Sequence, residues 1–173
     1  YSTNSLKLQR QFDFMPNNRT CTLVFHLANR INTENKVIGF HGPKTKLDQC
    51  FFDIKDAIFK CDILVPTNSM FFEIKYLKNL PNWLIKAPVG DLPLTLLLAH
   101  HGKLGFINEV MSNYRVMTEG SWSDKMSESW KIRKIHDKKI IVMWKEFNIW
   151  SNFSYTKSIR KVLILTNYRI LKK

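Results

Sequence analysis

A layered α/β fold is what this 173-residue sequence predicts. Two phrases and one rhythm carry that expectation. Cys21 to Leu27 is a compact, β-branched apolar run of buried-strand length, and Asp91 to His101 is an apolar helix with start and stop signals at its ends. Around them the chain alternates strand, helix, strand, helix, which favours helices packed on a sheet. The length suits one sizeable core. With 45% hydrophobic and 13% aromatic residues, the composition excludes a disordered chain.

Taken in order, Leu6, Leu8, Phe12, Phe14 and Met15 lie among Lys7, Arg10 and Gln11 at helical spacing, and Pro16-Asn17-Asn18 ends that helix. The Cys21 strand follows. Asn29 to Lys36 is polar, Val37-Ile38 is a brief apolar step, and Gly39 to Lys46 reads as a surface loop. Phe51 to Lys60 reads as one helix, and Thr67 to Phe72 as extended backbone around a bend after Pro66. Trp83 anchors a turn at Leu80-Pro81-Asn82. In the next helix Asp91 is expected to cap the N-terminus, Pro93 to occupy an early position, and Gly102 to supply a left-handed stop. His100 and His101 are expected to interact with that helix's C-terminus, and His26, His41 and His136 stand isolated in sequence. Leu104 to Asn108 and Met111 to Met117 are strand-like pieces flanking Glu109. Ser123 or Asp124 then starts a long helix carrying Met126, Trp130, Ile135, Ile141 and Trp144.

A formal net charge of +13 invites a polyanion, although the lysines are scattered and the Lys, Asn and Ile content is also what an AT-rich coding sequence produces. Residues 151–173 form a separate basic amphipathic helix, with Lys157, Arg160, Lys161, Arg169, Lys172 and Lys173 among Ile159, Val162, Leu163, Leu165, Ile170 and Leu171. Such a helix lies on a membrane surface or packs its apolar face on the domain, and both readings stand. Cys21, Cys50 and Cys61 have no metal-knuckle or redox spacing, no His/Asp/Glu cluster has ligand spacing, and no metal site is assigned. Reduced thiols and the absence of a signal-peptide profile or a membrane-length apolar run predict a cytoplasmic protein, peripheral at most to the inner membrane face. The first residue, Tyr1, falls inside a helix-entry phrase, as in an excerpt of a longer protein.

Four phrases occur in order: Leu80-Pro81-Asn82-Trp83, Ala87 to Leu94 (APVGDLPL), His101 to Glu109 (HGKLGFINE) and Tyr114-Arg115. This series resembles family 2 glycosyltransferases, and Tyr1 to Met15 is similar to the segment that follows that family's acidic metal-binding motif. The resemblance runs from Tyr1 to about Ser123. It implies a GT-A fold lacking its nucleotide-binding half, with residues 1–150 as the acceptor-side portion. It further implies an inverting transfer from a nucleotide-sugar donor to a saccharide or lipid-linked acceptor, with Asp91 as general base. Asn68, Ser69 and Met70 would then form the floor under donor and acceptor, Trp83 would stack on an acceptor ring, Gly90 would precede the base, and Tyr114-Arg115 would border the diphosphate. Gly120-Ser121-Trp122-Ser123 resembles a mobile loop near the nucleotide. A divalent cation, Mg or Mn, is implied for the parent protein, and the fragment alone is expected to be inactive. Where many members carry a metal-associated His after Tyr-Arg, this chain has Met117. A basic nucleic-acid-binding module and a non-catalytic interaction domain are the alternative readings; the positive charge favours the first, and the lack of a recognition motif or arginine cluster counts against it.

Overall fold

The structure is a computed structural model that describes residues 4–44, 50–60, 63–121, 124–126 and 129–172. Its elements in chain order are α1 (Lys7–Asn17), β1 (Cys21–Ile31), β2 (Val37–His41), β3 (Phe51–Phe52), α2 (Ile54–Phe59), β4 (Phe71–Phe72), α3 (Asn82–Ile85), α4 (Asp91–His101), β5 (Lys103–Arg115), α5 (Trp130–Trp150) and α6 (Thr156–Leu171). Short 3-10 turns at Thr67–Ser69 and Ile74–Leu77 flank β4.

The five strands make one mixed sheet. The apolar run from Cys21 becomes its central member, with β5 parallel along one edge. On the other edge, β2 pairs antiparallel with the C-terminal part of β1 (Ala28 opposite His41), and β4 with its N-terminal part (Leu23 opposite Phe72). β3 adds antiparallel to the outer side of β5.

Alternation along the strands divides the two faces. Leu23, Phe25, Leu104 and Phe106 point into the main core, where they meet Leu96 and Leu98 of α4, Ile58 of α2, Trp144 and Phe147 of α5 and Ile159 of α6. Phe14 of α1 presses on the opposite face, so close to Gly105 that a Cβ there would stand 2.5 Å from its ring. Fully burying each large aliphatic of this core contributes roughly 1.5–3 kcal/mol, and that is the main source of stability.

Several sequence expectations need correction. Gly39 to His41 belongs with Val37-Ile38 to one strand and not to the surface loop, missed because an edge strand with exposed Val37, Ile38 and Phe40 lacks a buried apolar run. Phe51 to Lys60 is not one helix: two residues join the sheet, and Asp53 then starts α2 through a capping box with Asp56. The two pieces from Leu104 to Asn108 and from Met111 belong to one continuous strand that ends at Arg115 and whose pairing with β1 slips around Leu27. The N-cap of α4 is Gly90, and Asp91 is the first helical residue.

Gly102 does not end α4 in the left-handed region. Its φ of 178° is extended backbone that any residue adopts. Space is the constraint there: a Cβ would lie 2.5 Å from Thr20 O and 2.6 Å from Thr22 Cγ2. The chain can therefore pass directly from α4 into β5 against β1, where the Lys103 N–H donates to Thr20 O at 2.8 Å and Thr22 Oγ1 donates to Leu98 O at 2.7 Å.

Beyond β5, Ser129 caps α5 by accepting from the Ile132 N–H. α5 and α6 form an antiparallel hairpin that closes on the core. Arg169 near the end of α6 donates from Nε and Nη2 to the two oxygens of the buried Asp137, at 3.0 and 2.8 Å. Ile159, Val162 and Thr166 of α6 face inward, so the packed arrangement of this helix is the one observed.

Gly102→Ala is expected to lower unfolding stability by about 1–3 kcal/mol, the usual cost of overpacking. Gly90→Ala, where an added Cβ meets nothing within 4 Å, should shift it by under about 1 kcal/mol. Urea denaturation of the two variants checks the contrast, and equal midpoints would contradict the close-approach account.

Candidate active site

The parallel pairing of β1 and β5 puts their carboxyl ends side by side, and open α/β sheets bind ligands at such strand ends. α4 runs back from β5, so its N-terminus and Asp91 point toward that same end of the sheet. One carboxylate oxygen of Asp91, Oδ1, accepts from the N–H of Leu92 at 2.8 Å. The other, Oδ2, accepts from Thr67 Oγ1 at 2.7 Å. The side chain is half-buried, so its direction is fixed by two donors while part of it stays open to solvent.

Around it the strand ends supply a polar cluster. Asn68, next to Thr67, donates from Nδ2 to Ser112 Oγ at 3.0 Å and to Asn113 O at 3.1 Å on β5. Asn29 of β1 donates to Asn113 Oδ1 at 3.0 Å. The His41 ring on β2 meets Tyr114 edge-on, with centroids 5.6 Å apart. Burial holds the His41 pKa below the usual histidine range; Arg30 lowers it further, and the negative charge of Asp91 offsets part of the shift. His41 is thus not isolated. It lies within electrostatic reach of the carboxylate.

Apart from Trp122, each site residue singled out in the sequence has a definite place. Asp91 bonds to Thr67, the neighbour of Asn68, and Asn68 bonds to the carbonyl of Asn113, the neighbour of Tyr114. Gly90 is exposed at the start of α4. Ser69 is buried and turned toward α1: its Oγ donates to Pro66 O at 2.7 Å, and its carbonyl accepts from Gln11 Nε2 at 2.7 Å. Met70 is half-buried against the core. Trp83 is only 5% exposed, with its ring against Phe147 at 4.9 Å and Trp150 at 5.6 Å, so it offers no open face for a sugar ring. Arg115 reaches the turn between β1 and β2, donating to Asn32 O at 3.0 Å, Thr33 O at 3.2 Å and Asn35 Oδ1 at 2.6 Å. Ser121 Oγ accepts from the Asp124 N–H at 3.3 Å. Trp122 lies outside the described residues.

Thr67, His41, Ser112 and Asn113 were not singled out in the sequence. Thr67 carries a weak local signal as the neighbour of Asn68. The place of His41 depends on strand pairing, which no nearby residue reveals.

Compared with known family models, with curated proteins and with solved structures, the chain matches none. A carboxylate with a fixed direction can take a proton, and the hydroxyl, amide and imidazole groups beside it can orient a polyhydroxylated ligand. Among the described residues no group of three or more His, Cys, Asp or Glu is placed to hold a metal ion.

The histidines give the fold a pH signature. Burial holds His26, His41 and His100 below the usual value of about 6.5, so the unfolded chain takes up these protons more readily than the folded one. The stability they contribute is complete above about pH 6.5 and is lost as the pH falls toward their folded-state values. Tm should fall on acidification from about pH 6.5 to 5, and less steeply in His41→Gln. Scanning calorimetry across that range checks both; an unchanged slope in the variant would contradict the burial of His41.

Proposed function

We propose that the chain is the acceptor-side portion of a GT-A-type glycosyltransferase that transfers a sugar from a nucleotide-sugar donor with inversion. The single observation that carries the reading is the Asp91 carboxylate, one oxygen of which accepts from the Leu92 N–H of its own helix while the other accepts from Thr67 Oγ1 outside it, toward the carboxyl ends of the parallel strands. The mixed α/β sheet is compatible with that fold.

In the proposed reaction an acceptor hydroxyl oxygen attacks the anomeric carbon of the donor. Its proton passes to Asp91 as the new glycosidic bond forms. The bond from the anomeric carbon to the diphosphate breaks, and the nucleoside diphosphate leaves with the electron pair. Thr67 is a positioning residue for the carboxylate, and Asn68 and Tyr114 line the same end of the sheet. Trp83 packs in the core against Phe147 and Trp150, and any ring that stacks on the acceptor is a different one. Arg115 secures the β1–β2 turn, and its nearness to the diphosphate stays part of the proposal. Saccharide or lipid-linked acceptors are the partners this reading names, with the chain working at the cytoplasmic side.

A divalent cation on the diphosphate would neutralise the leaving group. The strand-end cluster offers it one carboxylate, which is not a metal site by itself, so no step performed by these residues passes through the metal.

Asp91→Asn in the protein carrying this chain is expected to lower kcat at least 100-fold, the usual scale for loss of a positioned base, with donor affinity retained. Nucleoside diphosphate released from a panel of nucleotide sugars in the presence of saccharide acceptors measures it. Turnover retained in the variant would end the assignment.

A further inference from the structure

The outward faces of the C-terminal hairpin carry a pattern that the packing of the domain does not use. Along α5, Lys131, Ile135, Lys138, Val142, Lys145 and Ile149 follow one another at steps of four and three, a spacing that keeps all six on one side of the helix. All six are exposed, and the three apolar ones are more than half exposed. The side chains that hold α5 to the core, Ile140, Met143, Trp144 and Phe147, occupy the opposite side. α6 repeats the arrangement through Lys157, Lys161, Ile164, Tyr168 and Leu171, again exposed and opposite the buried Ile159, Val162 and Thr166. Phe153, at the turn between the helices, is 62% exposed.

Charge identifies the occupant. Between residues 130 and 171 there are ten Lys or Arg and two acids, and one of those acids, Asp137, is buried under Arg169. A second copy laid on this face would set lysine against lysine. A nucleic acid would satisfy the lysines but would gain nothing from aliphatic Ile135, Val142, Ile149 and Ile164, since bases stack on aromatic faces. An anionic bilayer surface meets both requirements. Lysine heads sit among the lipid phosphates while their stems and the aliphatic side chains enter the boundary between headgroups and acyl chains. No helix among the described residues is long and apolar enough to cross a membrane, so the contact is with the surface.

We propose that the outer face of the α5–α6 hairpin docks the protein on an anionic phospholipid surface, with alternating lysines and aliphatic residues as the contact. The contact uses the side of α6 opposite its packed residues together with the matching side of α5, and it does not rest on the transferase assignment.

Sedimentation with vesicles tests it. The protein should bind vesicles of phosphatidylcholine containing about one-third phosphatidylglycerol, fail to bind pure phosphatidylcholine, and be released by salt. Each surface lysine is worth roughly five-fold in partitioning, so replacing Lys131, Lys138 and Lys145 together by Gln should weaken binding on the order of 100-fold. Ile135→Ser with Val142→Ser, at exposed positions that leave the core intact, should weaken it several-fold at unchanged charge. The wild-type salt titration needs no variant and stands if one fails to fold. Equal binding to neutral vesicles, or none to anionic ones, overturns the proposal. So does binding to single-stranded DNA that depends on the lysines and not on Ile135 and Val142. A dimer in light scattering that the same substitutions dissolve would assign the face to a second copy instead.

Discussion

The contact between Gly102 and β1 determines where Asp91 stands. β5 can lie parallel to β1 only if the chain returns from the far end of the sheet, and α4 is that return. Because Gly102 has no side chain, helix and strand join with no intervening loop, and the Lys103 N–H is already bonded to Thr20 O. The axis of α4 is then set by the start of β5. Thr22 Oγ1 bonding to Leu98 O fixes the helix laterally, and α4 is buried on most of its circumference, with seven of its eleven residues buried, as expected of a helix that is apolar all round. Its N-terminus consequently projects toward the carboxyl ends of β1 and β5. The carboxylate owes its location to backbone sterics eleven residues away.

On the other face the sheet carries a polar layer where stability is given up. Gln11 Oε1, His26 Nε2 and Asn68 Oδ1 are buried without a hydrogen-bond partner, although each side chain makes at least one other bond. An unsatisfied buried acceptor costs about 1–3 kcal/mol. Their common neighbour is α1: Gln11 bonds to Val24 O and Ser69 O, and Lys7 Nζ bonds to Asn68 O at 2.8 Å. α1 is therefore seated by specific polar contacts as well as by Phe14, and those contacts hold the turn at residues 67–69 that presents Thr67 to Asp91. An all-apolar seat would cost less, but it would leave the turn free to shift.

What was legible in the sequence follows from how local each constraint is. β1 and α4 could be read directly, since burial on both faces of a strand and closure of a helix are written in contiguous residues. β2 could not, because Val37, Ile38 and Phe40 are exposed at a sheet edge and only pairing with Ala28 to Ile31 makes them a strand. The error carried forward to His41, whose meeting with Tyr114 and the charge of Asp91 exists only through that pairing. The hold of Arg115 on the β1–β2 turn was not legible for a related reason: two of its partners are the carbonyls of Asn32 and Thr33, and backbone acceptors leave no trace in residue identity. Trp83 could serve equally as a core aromatic or a binding surface, and only the positions of Phe147 and Trp150 decide between them.

Of these aromatic residues, Trp150 also meets the end of α4 that lies away from Asp91. At the C-terminal end of α4, the His100 Nδ1 lies 3.0 Å from the Tyr155 hydroxyl, and the ring lies 4.8 Å from Trp150, so that end is held by the turn of the α5–α6 hairpin. His101 stacks on Tyr76 at 5.6 Å on its other side. A single buried helix thus carries the candidate base at one end and abuts the hairpin at the other. Close-packed interiors transmit displacement instead of absorbing it. The core of Leu96, Trp144 and Phe147 therefore seats α4 against the hairpin, while the direction of the Asp91 carboxylate is set locally by the Leu92 N–H and Thr67 Oγ1.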